Sequence, residues 1–175
     1  MKDFTNSEAI QIVKSFNLQA HPEGGYFKET YRSAGSISPE NLEADYSGSR
    51  NYSTAIYFLL TSDTFSAFHR IKQDECWHFY KGSAIKIHMI SPEGAYSHIV
   101  LGSDFNQEQA PQFVVPGGFW FAAEVIDPSS FSLVGCTVSP GFDFADFELA
   151  DREAFTQKFP QHKELILKFT RESNA

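Results

Sequence analysis

The chain has few of the residues from which disulfide scaffolds, zinc fingers and membrane anchors are made. Only Cys76 and Cys136 occur among 175 residues. They do not form a C-x-x-C pair, so the sequence supports neither a disulfide framework nor a structural zinc site. No apolar run approaches the roughly 20 residues of a membrane span, and the N-terminus lacks the apolar core of a signal peptide. We therefore expect a cytoplasmic protein with no membrane association.

Positive charge is also scarce. The chain has 14 Lys and Arg residues against 22 Asp and Glu residues, for a net charge of −8, and its basic residues form no run. Binding to the phosphates of nucleic acids depends on clustered positive charge, so we expect no nucleic acid partner. A modest negative net charge mainly favours solubility.

Phenylalanine, in contrast, is abundant. The chain has 18 Phe, 7 Tyr and 2 Trp residues, and its hydrophobic content of 42% is ordinary for a globular protein. Aromatic residues at this density suit the interior of a β-sheet structure or an aromatic-lined pocket. The length is enough to bury one substantial core, so we expect a single domain over residues 1–175.

The apolar pattern predicts short helices at both ends of the chain. Thr5 and Glu8 fit a capping box for a helix over about residues 5–16. Two further helices are expected at about 151–158 and 161–172, separated by Pro160. Apolar residues of the second would pack against the rest of the molecule.

Short segments rich in β-branched and aromatic residues lie between these helices, separated by turns that contain Gly and Pro. Strands are expected at 25–33, 53–60, 66–71, 75–81, 84–90, 96–101, 112–115, 119–125 and 131–139. Many short strands are typical of a sandwich or barrel, here over about residues 20–150. Residues 34–51 are expected to form a long loop at the barrel mouth, and residues 140–149 a wall or lid.

Residues 69–82 (HRIKQDECWHFYKG) have the spacing of a metal-binding motif from β-barrel proteins. The first cupin motif has two histidines two residues apart, a glutamate four residues later and a glycine seven residues after that. His69, Ile71, Glu75 and Gly82 stand at these positions. The spacing is therefore intact, but isoleucine replaces the second histidine.

Further blocks resemble one uncharacterised cupin subfamily, catalogued as a domain of unknown function and described as predicted sugar epimerases. They are HPEGGYFKETYRS, STAIYFLL, SAFHRIKQDECWHFYKG, VVPGGFWFAA and LVGCTVSPGFDFADFEL, and the resemblance covers roughly residues 16–150. It implies an all-β cupin fold, a double-stranded β-helix or jelly-roll barrel. It also implies a homodimer with the strand at 25–33 near the interface.

Strand alternation predicts which side chains share the barrel interior. If the histidine and glutamate of the motif point inward, the pocket is lined by His69, Ile71, Glu75, Trp77, Phe79 and Phe121. Phe121 stands where the second cupin motif, here Pro-Gly-Gly at 116–118, would supply its last metal ligand. Alternation places His78 and His88 on the outer face. A catalytic metal generally needs about three protein ligands, so we expect no metal and no other cofactor.

The segment GGYFKET resembles the G-[FY]-F-x-E strand of metal-free cupins that epimerise nucleotide-linked sugars. Tyr26, Phe27 and Glu29 match it, and the resemblance implies that they contact the substrate. Gly24 stands where those epimerases have a phosphate-binding arginine. The expected partner is therefore a small-molecule ligand, either a sugar or a nucleotide-sugar-like compound.

Three functions fit these features. The first is a metal-free, epimerase-like isomerase in which His69 acts as the base, beside the Glu75 carboxylate, and a tyrosine acts as the acid. The second is a non-catalytic module that binds a sugar-like or nucleotide-like ligand. The third is a metal-dependent cupin enzyme that recruits a ligand from outside the predicted set. Alternatively, His69 and Glu75 form only a buried hydrogen bond. Candidate binders of an anionic substrate are Arg32, Arg50 and Arg70.

Overall fold

The computed structural model describes residues 6–42 and 46–172. Its first element, α1, is Ser7–Phe16, with Asn6 as the N-cap whose side chain accepts a hydrogen bond from the Ala9 amide. The sequence predicted this helix over residues 5–16. Thr5, its predicted cap, lies outside the described residues, and Asn6 provides the side-chain acceptor that a helix N-terminus requires.

Short strands make up most of the remaining described chain. In chain order they are β1 (Gln19–Ala20), β2 (Tyr26–Arg32), β3 (Ser36–Ile37), β4 (Arg50–Asn51), β5 (Thr54–Thr61), β6 (Ser66–Arg70), β7 (Glu75–Gly82), β8 (Ile85–Ile90), β9 (Tyr96–Leu101), β10 (Gln112–Val115), β11 (Trp120–Val125), β12 (Phe131–Val138) and β13 (Glu148–Leu149). The longer strands match the predicted segments to within about two residues, because β-branched and aromatic residues favour extended backbone.

Two antiparallel sheets form the body of the fold. One has the order β1-β2-β5-β12-β7-β10 and the other β13-β6-β11-β8-β9, while β3 and β4 pair separately within the predicted loop at 34–51. The core lies between the two sheets and includes Phe58, Trp77, Ile87, Phe121 and Val134. This arrangement confirms the all-β cupin architecture expected from the sequence.

Successive residues of each strand contribute to different layers. On β5, Phe58 lies in the core between the sheets, whereas Leu59 packs outward with Ala9 of α1. On β11, Phe121 lies in the core and Trp120 packs on the outer face. Strand residues are therefore buried on both faces, which explains the nearly continuous apolar runs in the sequence.

The C-terminal helices cover the outer face of the five-stranded sheet. They are α2 (Arg152–Lys158) and α3 (Lys163–Lys168), with a 3-10 turn at Pro160–His162 between them. Ile166 and Phe169 are almost fully buried against Phe68 of β6, as the apolar pattern predicted. Helix α3 is shorter than the predicted 161–172. None of the described helices is long and apolar enough to span a membrane.

Candidate functional site

A cavity of about 240 Å³ opens at one end of the core. Its walls come from β2, β5, β6, β7 and β12, from the turn before β2, and from the segment at 142–147 that follows β12. Strands of both sheets therefore place their inward side chains around one space. This is a usual location for a small-molecule site in a β-barrel.

The turn before β2 carries two side chains of the cavity, His21 and Glu23. The His21 amide donates to the Gly25 carbonyl at 3.0 Å, and the Gly24 amide donates to the His21 carbonyl at 3.0 Å. Gly24 and Gly25 have φ values of 117° and 73°, a region in which side chains other than glycine are strained. The Ala67 amide donates to the Glu23 carbonyl at 2.8 Å, which attaches this turn to β6.

Glu23 lies at the centre of a buried polar cluster. Its Oε1 accepts a hydrogen bond from Ser66 Oγ at 2.8 Å. Its Oε2 lies 3.0 Å from His69 Nε2 and 3.3 Å from His21 Nδ1. Burial by itself raises the pKa of Glu23, but the charge of His69 and the hydrogen bonds from His21 and Ser66 outweigh it, so the pKa lies below its ordinary value. Glu23 is therefore a buried carboxylate.

His69 has an oxygen acceptor at each ring nitrogen. Nδ1 lies 2.7 Å from the Ala67 carbonyl oxygen and therefore donates to it, while Nε2 faces the Glu23 carboxylate. The ring packs on Phe121, with centroids 4.1 Å apart. Burial lowers the pKa of His69, and the Glu23 carboxylate opposes this effect. Oxygen acceptors at both ring nitrogens fix the orientation of the imidazole beside Glu23.

Glu75 is the second carboxyl group of the cavity, and its state differs from that of Glu23. Burial, reinforced by the negative charge of Glu23, raises the pKa of Glu75 to about 8. Burial and the neighbouring Glu75 also raise the pKa of the Cys136 thiol. At neutral pH Glu75 is thus a neutral carboxylic acid, which can donate a hydrogen bond into the cavity.

An ion pair lies at the mouth of the cavity. Arg32 Nε and Nη2 donate to the two carboxylate oxygens of Glu29 at 2.9 and 2.7 Å. Arg32 Nη1 donates to Asn51 Oδ1 at 2.8 Å, and Nη2 also contacts the Phe142 carbonyl oxygen at 3.2 Å. The hydrogen bond with Glu29 raises the pKa of Arg32 above its ordinary value. Most donors of this guanidinium are therefore already used within the protein.

The segment at 142–147 forms an aromatic wall, as the sequence predicted for residues 140–149. Phe142, Asp143, Phe144 and Phe147 line the cavity. Phe144 stacks on the His21 ring with centroids 6.1 Å apart, and Phe142 meets Phe144 edge-on at 5.0 Å. The wall begins with an N-cap at Asp143, whose Oδ1 accepts a hydrogen bond from the Ala145 amide at 2.8 Å.

A buried ion pair anchors this wall to the rest of the fold. Arg50 of β4 donates from Nε and Nη2 to the two carboxylate oxygens of Asp146, at 2.6 and 2.7 Å. Gln73 Nε2 donates to the same carboxylate at 2.8 Å. Arg50 is 4% exposed and the Asp146 side chain is fully buried, so this pair acts in a site from which water is excluded.

The structure places six of the nine predicted site residues in the cavity lining. They are Phe27, Glu29, His69, Ile71, Glu75 and Trp77. Phe121 and Phe79 do not line the cavity. The Phe121 ring packs against the His69 ring, and Phe79 packs against the same core farther along β7. Tyr26 packs outward near α1 with Leu18 and Leu59. Since Tyr26 and Phe27 are adjacent on one strand, their side chains point to opposite faces, and only Phe27 can face the cavity.

Sequence reasoning missed His21 and Glu23, and it paired His69 with the wrong carboxylate. The carboxylate that contacts His69 is Glu23, from the turn before β2, whereas Glu75 was expected in that role. A histidine and a glutamate two residues apart, directly before two glycines, were visible in HPEGG. Nothing in their spacing indicates which strand they meet, because that contact depends on how the turn packs on β6.

The residues at the former metal positions do not fit a metal ion. Phe121 is the direct cross-strand partner of His69, and Ile71 replaces the second histidine of the motif. Neither side chain has a donor atom for a cation. Across residues 6–42 and 46–172, no group of three or more His, Cys, Asp or Glu side chains is arranged to hold a metal. These two positions therefore cannot coordinate a metal.

The family follows from comparison with known proteins. A family model described as "Cupin superfamily (DUF985)" matches residues 10–150. The chain belongs to this family. An uncharacterised protein of Saccharomyces cerevisiae is 34% identical over 149 residues, which cover 80% of this chain and 74% of the yeast protein.

Solved structures of similar cupins agree with this assignment. Protein SO0799 from Shewanella oneidensis is 41% identical, with a TM-score of 0.85 over 94% of this chain and 98% of the other. A hypothetical protein from Leishmania major is 32% identical, with a TM-score of 0.85 over 94% and 99% of the two chains. An oxalate decarboxylase from Bacillus subtilis is 12% identical, with a TM-score of 0.53 over 88% of this chain and 37% of the enzyme. This last likeness concerns the fold alone.

Proposed function

We propose that this cupin is an acid–base isomerase that moves a proton next to the carbonyl group of a small sugar-like compound. The observation that carries the proposal is the contrast between two carboxyl groups of one cavity. The pKa of Glu23 lies below its ordinary value, whereas that of Glu75 is raised to about 8. Groups whose pKa values are pushed apart in one site are typical of an acid and a base that act together.

Glu75 is the acid in this proposal. Its neutral carboxyl group donates a hydrogen bond to the carbonyl oxygen of the substrate and stabilises the negative charge that develops there. A pKa near 8 keeps the proton on Glu75 at neutral pH, yet the proton is not held too tightly to be transferred.

His21 is the base. Its Nδ1 lies 3.3 Å from the Glu23 carboxylate, and the Glu23 amide N–H points at the same nitrogen from 3.4 Å. We assign the ring proton to Nδ1, because a hydrogen bond donated to the charged carboxylate is stronger than one accepted from the neutral amide. Nε2, on the opposite side of the ring, then has a free lone pair, and the Glu23 carboxylate stabilises the imidazolium that forms when it takes a proton.

His69 has a positioning role here, in place of the base role expected from the sequence. Its two nitrogens face the Ala67 carbonyl and Glu23, so a base role for His69 stays a prediction that this geometry does not favour. By holding Glu23 between two rings, His69 fixes the carboxylate that supports His21.

The reaction would proceed in two balanced steps. His21 Nε2 takes a proton from the carbon next to the carbonyl, and the electron pair of that C–H bond moves to form an enol while Glu75 gives its proton to the carbonyl oxygen. A proton from water then adds to the opposite face of that carbon, the oxygen's proton returns to Glu75, and His21 releases its proton to water, which yields the epimer. No external oxidant or reductant is required.

Hydrogen–deuterium exchange tests this proposal directly. The protein is incubated with free keto sugars in D₂O, and deuterium at carbon is measured by NMR. We expect exchange with wild type and a loss of at least about a hundredfold in both His21→Gln and Glu75→Gln, the usual contribution of a general acid or base. His98→Gln and Glu93→Gln, which change exposed residues outside the cavity, are the matched controls and should leave the rate unchanged.

Three results would count against the proposal. Absence of exchange in wild type, across free, phosphorylated and nucleotide-linked keto sugars, would exclude this reaction. Exchange that persists in both cavity variants would show that other groups transfer the proton. Exchange lost in His69→Ala but kept in His21→Gln would return the base to His69.

A second candidate function is a binding module without catalysis. The aromatic lining of the cavity favours it. The rings of the wall, at Phe142, Phe144 and Phe147, together with Phe27 of β2, can contact a ligand without any chemical step. Ligand-induced stabilisation of the protein against heat, equal in wild type and Glu75→Gln and accompanied by no exchange, would favour binding alone.

We also propose that the protein acts in the cytoplasm as a homodimer that uses the face of β2. Most residues of this strand are exposed, and exposed strands are common sites of pairing between identical chains. Sedimentation analysis at micromolar concentration should give twice the chain mass of 19.7 kDa; a single-chain mass would contradict the dimer.

A further inference from the structure

Positive charge in the cavity is already neutralised. Arg32 is the one Lys or Arg side chain among the described residues that line it. Its guanidinium makes the two-pronged ion pair with Glu29 and further hydrogen bonds to Asn51 and the Phe142 carbonyl. A phosphate or carboxylate of a ligand would have to displace Glu29 in order to use these donors.

The other two candidate arginines are equally committed and lie outside the lining. Arg50 holds the buried Asp146 carboxylate through two hydrogen bonds. Arg70 pairs with Glu148 at 2.6 Å and lies over the Trp120 ring, on the outer face of the five-stranded sheet. Neither arginine is placed to receive an anionic group from the cavity.

Negative charge, in contrast, remains at the mouth. The Glu29 carboxylate pairs directly with Arg32. The Asp143 carboxylate also lines the cavity; it accepts a hydrogen bond from the Ala145 amide and interacts electrostatically with Arg32 and Arg50. Each of these arginines already holds another carboxylate, so negative charge exceeds positive charge at the mouth. Deeper inside, the Glu23 carboxylate adds a further negative charge, since its two oxygens accept hydrogen bonds and its pKa lies below the ordinary value. An approaching anion therefore meets a surplus of like charge, which lowers its affinity.

The shape and the aromatic wall favour one uncharged ring. A volume of 240 Å³ is smaller than the roughly 300–1,000 Å³ of sites for drug-sized ligands. The rings of His21 and Phe144 are nearly parallel, at 24°, and Phe144 is 54% exposed at the opening. Such a surface can cover the apolar face of a single ring.

We propose that the cavity binds an uncharged, single-ring sugar and discriminates against phosphorylated and nucleotide-linked sugars. This inference deepens the proposed function and rests on it only in placing the substrate in the same cavity. It departs from the nucleotide-linked substrate that the resemblance to epimerases suggests.

Matched ligands test the charge preference. Binding of D-fructose and D-glucose is compared with that of their 6-phosphates and of UDP-glucose, by saturation-transfer NMR and calorimetry. We expect at least one free sugar to bind, and its phosphate ester to bind about tenfold more weakly. Tighter binding of a phosphorylated or nucleotide-linked sugar overturns the proposal, as does absence of binding by every free sugar at millimolar concentration.

A pair of N-cap variants isolates the effect of charge. Asp143→Asn removes one of the two carboxylates at the mouth and keeps a capping side chain; it should raise affinity for the phosphate ester, relative to the free sugar, by about three- to tenfold. Asp104→Asn is the control, because Asp104 also caps a 3-10 turn, through the Asn106 amide at 3.1 Å, but does not line the cavity. Equal selectivity in both variants would contradict the role assigned to Asp143.

A pair of phenylalanine variants tests the ring-binding wall. Phe144→Ala should weaken binding of the free sugar at least about fivefold, since stacking on one aromatic ring contributes about 1 kcal/mol or more. Phe105→Ala, at an exposed position outside the cavity, should leave it unchanged. Affinity that is the same in both variants would count against the wall as the binding surface.

These binding experiments are independent of turnover. Free sugars that bind with the expected selectivity but show no exchange would remove the proposed isomerase and leave the ligand class standing. Exchange confined to a phosphorylated sugar would support the isomerase and contradict the uncharged ligand class.

Discussion

Glu23 and Glu75 line the same cavity, and burial raises the pKa of both carboxyl groups. Only Glu23 has partners that reverse this effect, because Ser66, His21 and His69 all face its two oxygens. The Glu23 charge then adds to the burial of Glu75. One carboxylate is stabilised and its neighbour is held neutral, which is the separation on which the proposed chemistry depends.

The raised pKa of Glu75 predicts a pH dependence of stability. Between the ordinary value of 4.5 and about 8, the folded state keeps the Glu75 proton that the unfolded chain has lost. The folded state thus binds more protons, and its stability falls as pH rises through this window, by up to about 1.4 kcal/mol per pH unit. Urea unfolding of wild type and Glu75→Gln at several pH values measures this slope.

Glu75→Gln should flatten the slope, because glutamine has no proton to lose. Glu93→Gln, at an exposed position, is the control and should keep it. Parallel slopes in wild type and Glu75→Gln would mean that Glu75 is ionised in the folded protein at neutral pH.

Gly25 predicts a steric effect at the turn that carries Glu23. Gly25 and Gly118 have similar φ values, 73° and 77°, but an added Cβ at Gly25 would lie 2.8 Å from the Leu59 carbonyl oxygen, whereas none of the described atoms lies within 4 Å at Gly118. Gly118→Ala should therefore cost about 1 kcal/mol for backbone strain alone, and Gly25→Ala about 2–4 kcal/mol. Urea unfolding of the two variants gives the difference. Equal costs would show that the turn relaxes away from β5.

At the scale of elements, the aromatic wall depends on a few polar contacts. The 3-10 turn Phe144–Asp146 leaves Phe144 exposed and buries Asp146. The Asp146 carboxylate reaches Arg50 of β4 and Gln73 of the β6–β7 loop. The wall therefore stays beside the cavity because the Asp146 carboxylate connects it to two segments that are distant in sequence, one through Arg50 and the other through Gln73.

Arg50→Ala should destabilise the protein by about 3 kcal/mol, because it removes the two strongest hydrogen bonds of the buried Asp146 carboxylate and leaves it with Gln73 at 2.8 Å and the more distant Lys72 ammonium at 3.8 Å. Arg70→Ala is the matched control, since Arg70 also pairs with a carboxylate but in an exposed site, with side chains 38% and 54% exposed; it should cost no more than about 1 kcal/mol. Urea unfolding of both variants measures these costs. A small effect of Arg50→Ala would mean that water reaches Asp146 once the arginine is removed.

Strand alternation was a reliable guide wherever a single strand decided the outcome. His69 and Ile71 on one stretch, and Glu75 and Trp77 on the next, all line the cavity as predicted. Alternation also explains why the Tyr26 side chain lies on the outer face of β2 while that of Phe27 lines the cavity. It does not predict how far along a strand a side chain lies from the barrel mouth, which is why Phe79 packs in the core instead.

At the scale of the whole molecule, the cupin barrel forms although two of the four metal-ligand positions of its motifs, Ile71 and Phe121, are apolar. His69 on β6 and Phe121 on β11 are cross-strand partners, so the fold brings the two motifs together. The Phe121 ring packs against the His69 imidazole, with centroids 4.1 Å apart. The two motifs therefore meet here through packing of two rings.

Metal analysis of the purified protein tests this interpretation. Protein prepared without a histidine tag should contain far less than one equivalent of iron, manganese, nickel or zinc by elemental analysis, because a catalytic site needs about three protein ligands. Near-stoichiometric metal that is lost in His69→Ala would contradict the expectation and revive the metal-dependent alternative.

The sequence by itself determined the family, the strands and the inward side chains of β6 and β7, since these depend on local backbone preference and on an alternation of period two. Only the tertiary structure decided that His69 meets Glu23 and that Asp146 holds the wall. Those contacts join residues 46 and 96 positions apart, and no local pattern specifies which distant turn packs on which strand. The electrostatics of the cavity follow from these long-range contacts, because a carboxyl group's pKa depends on its burial and on the charges that folding brings near it.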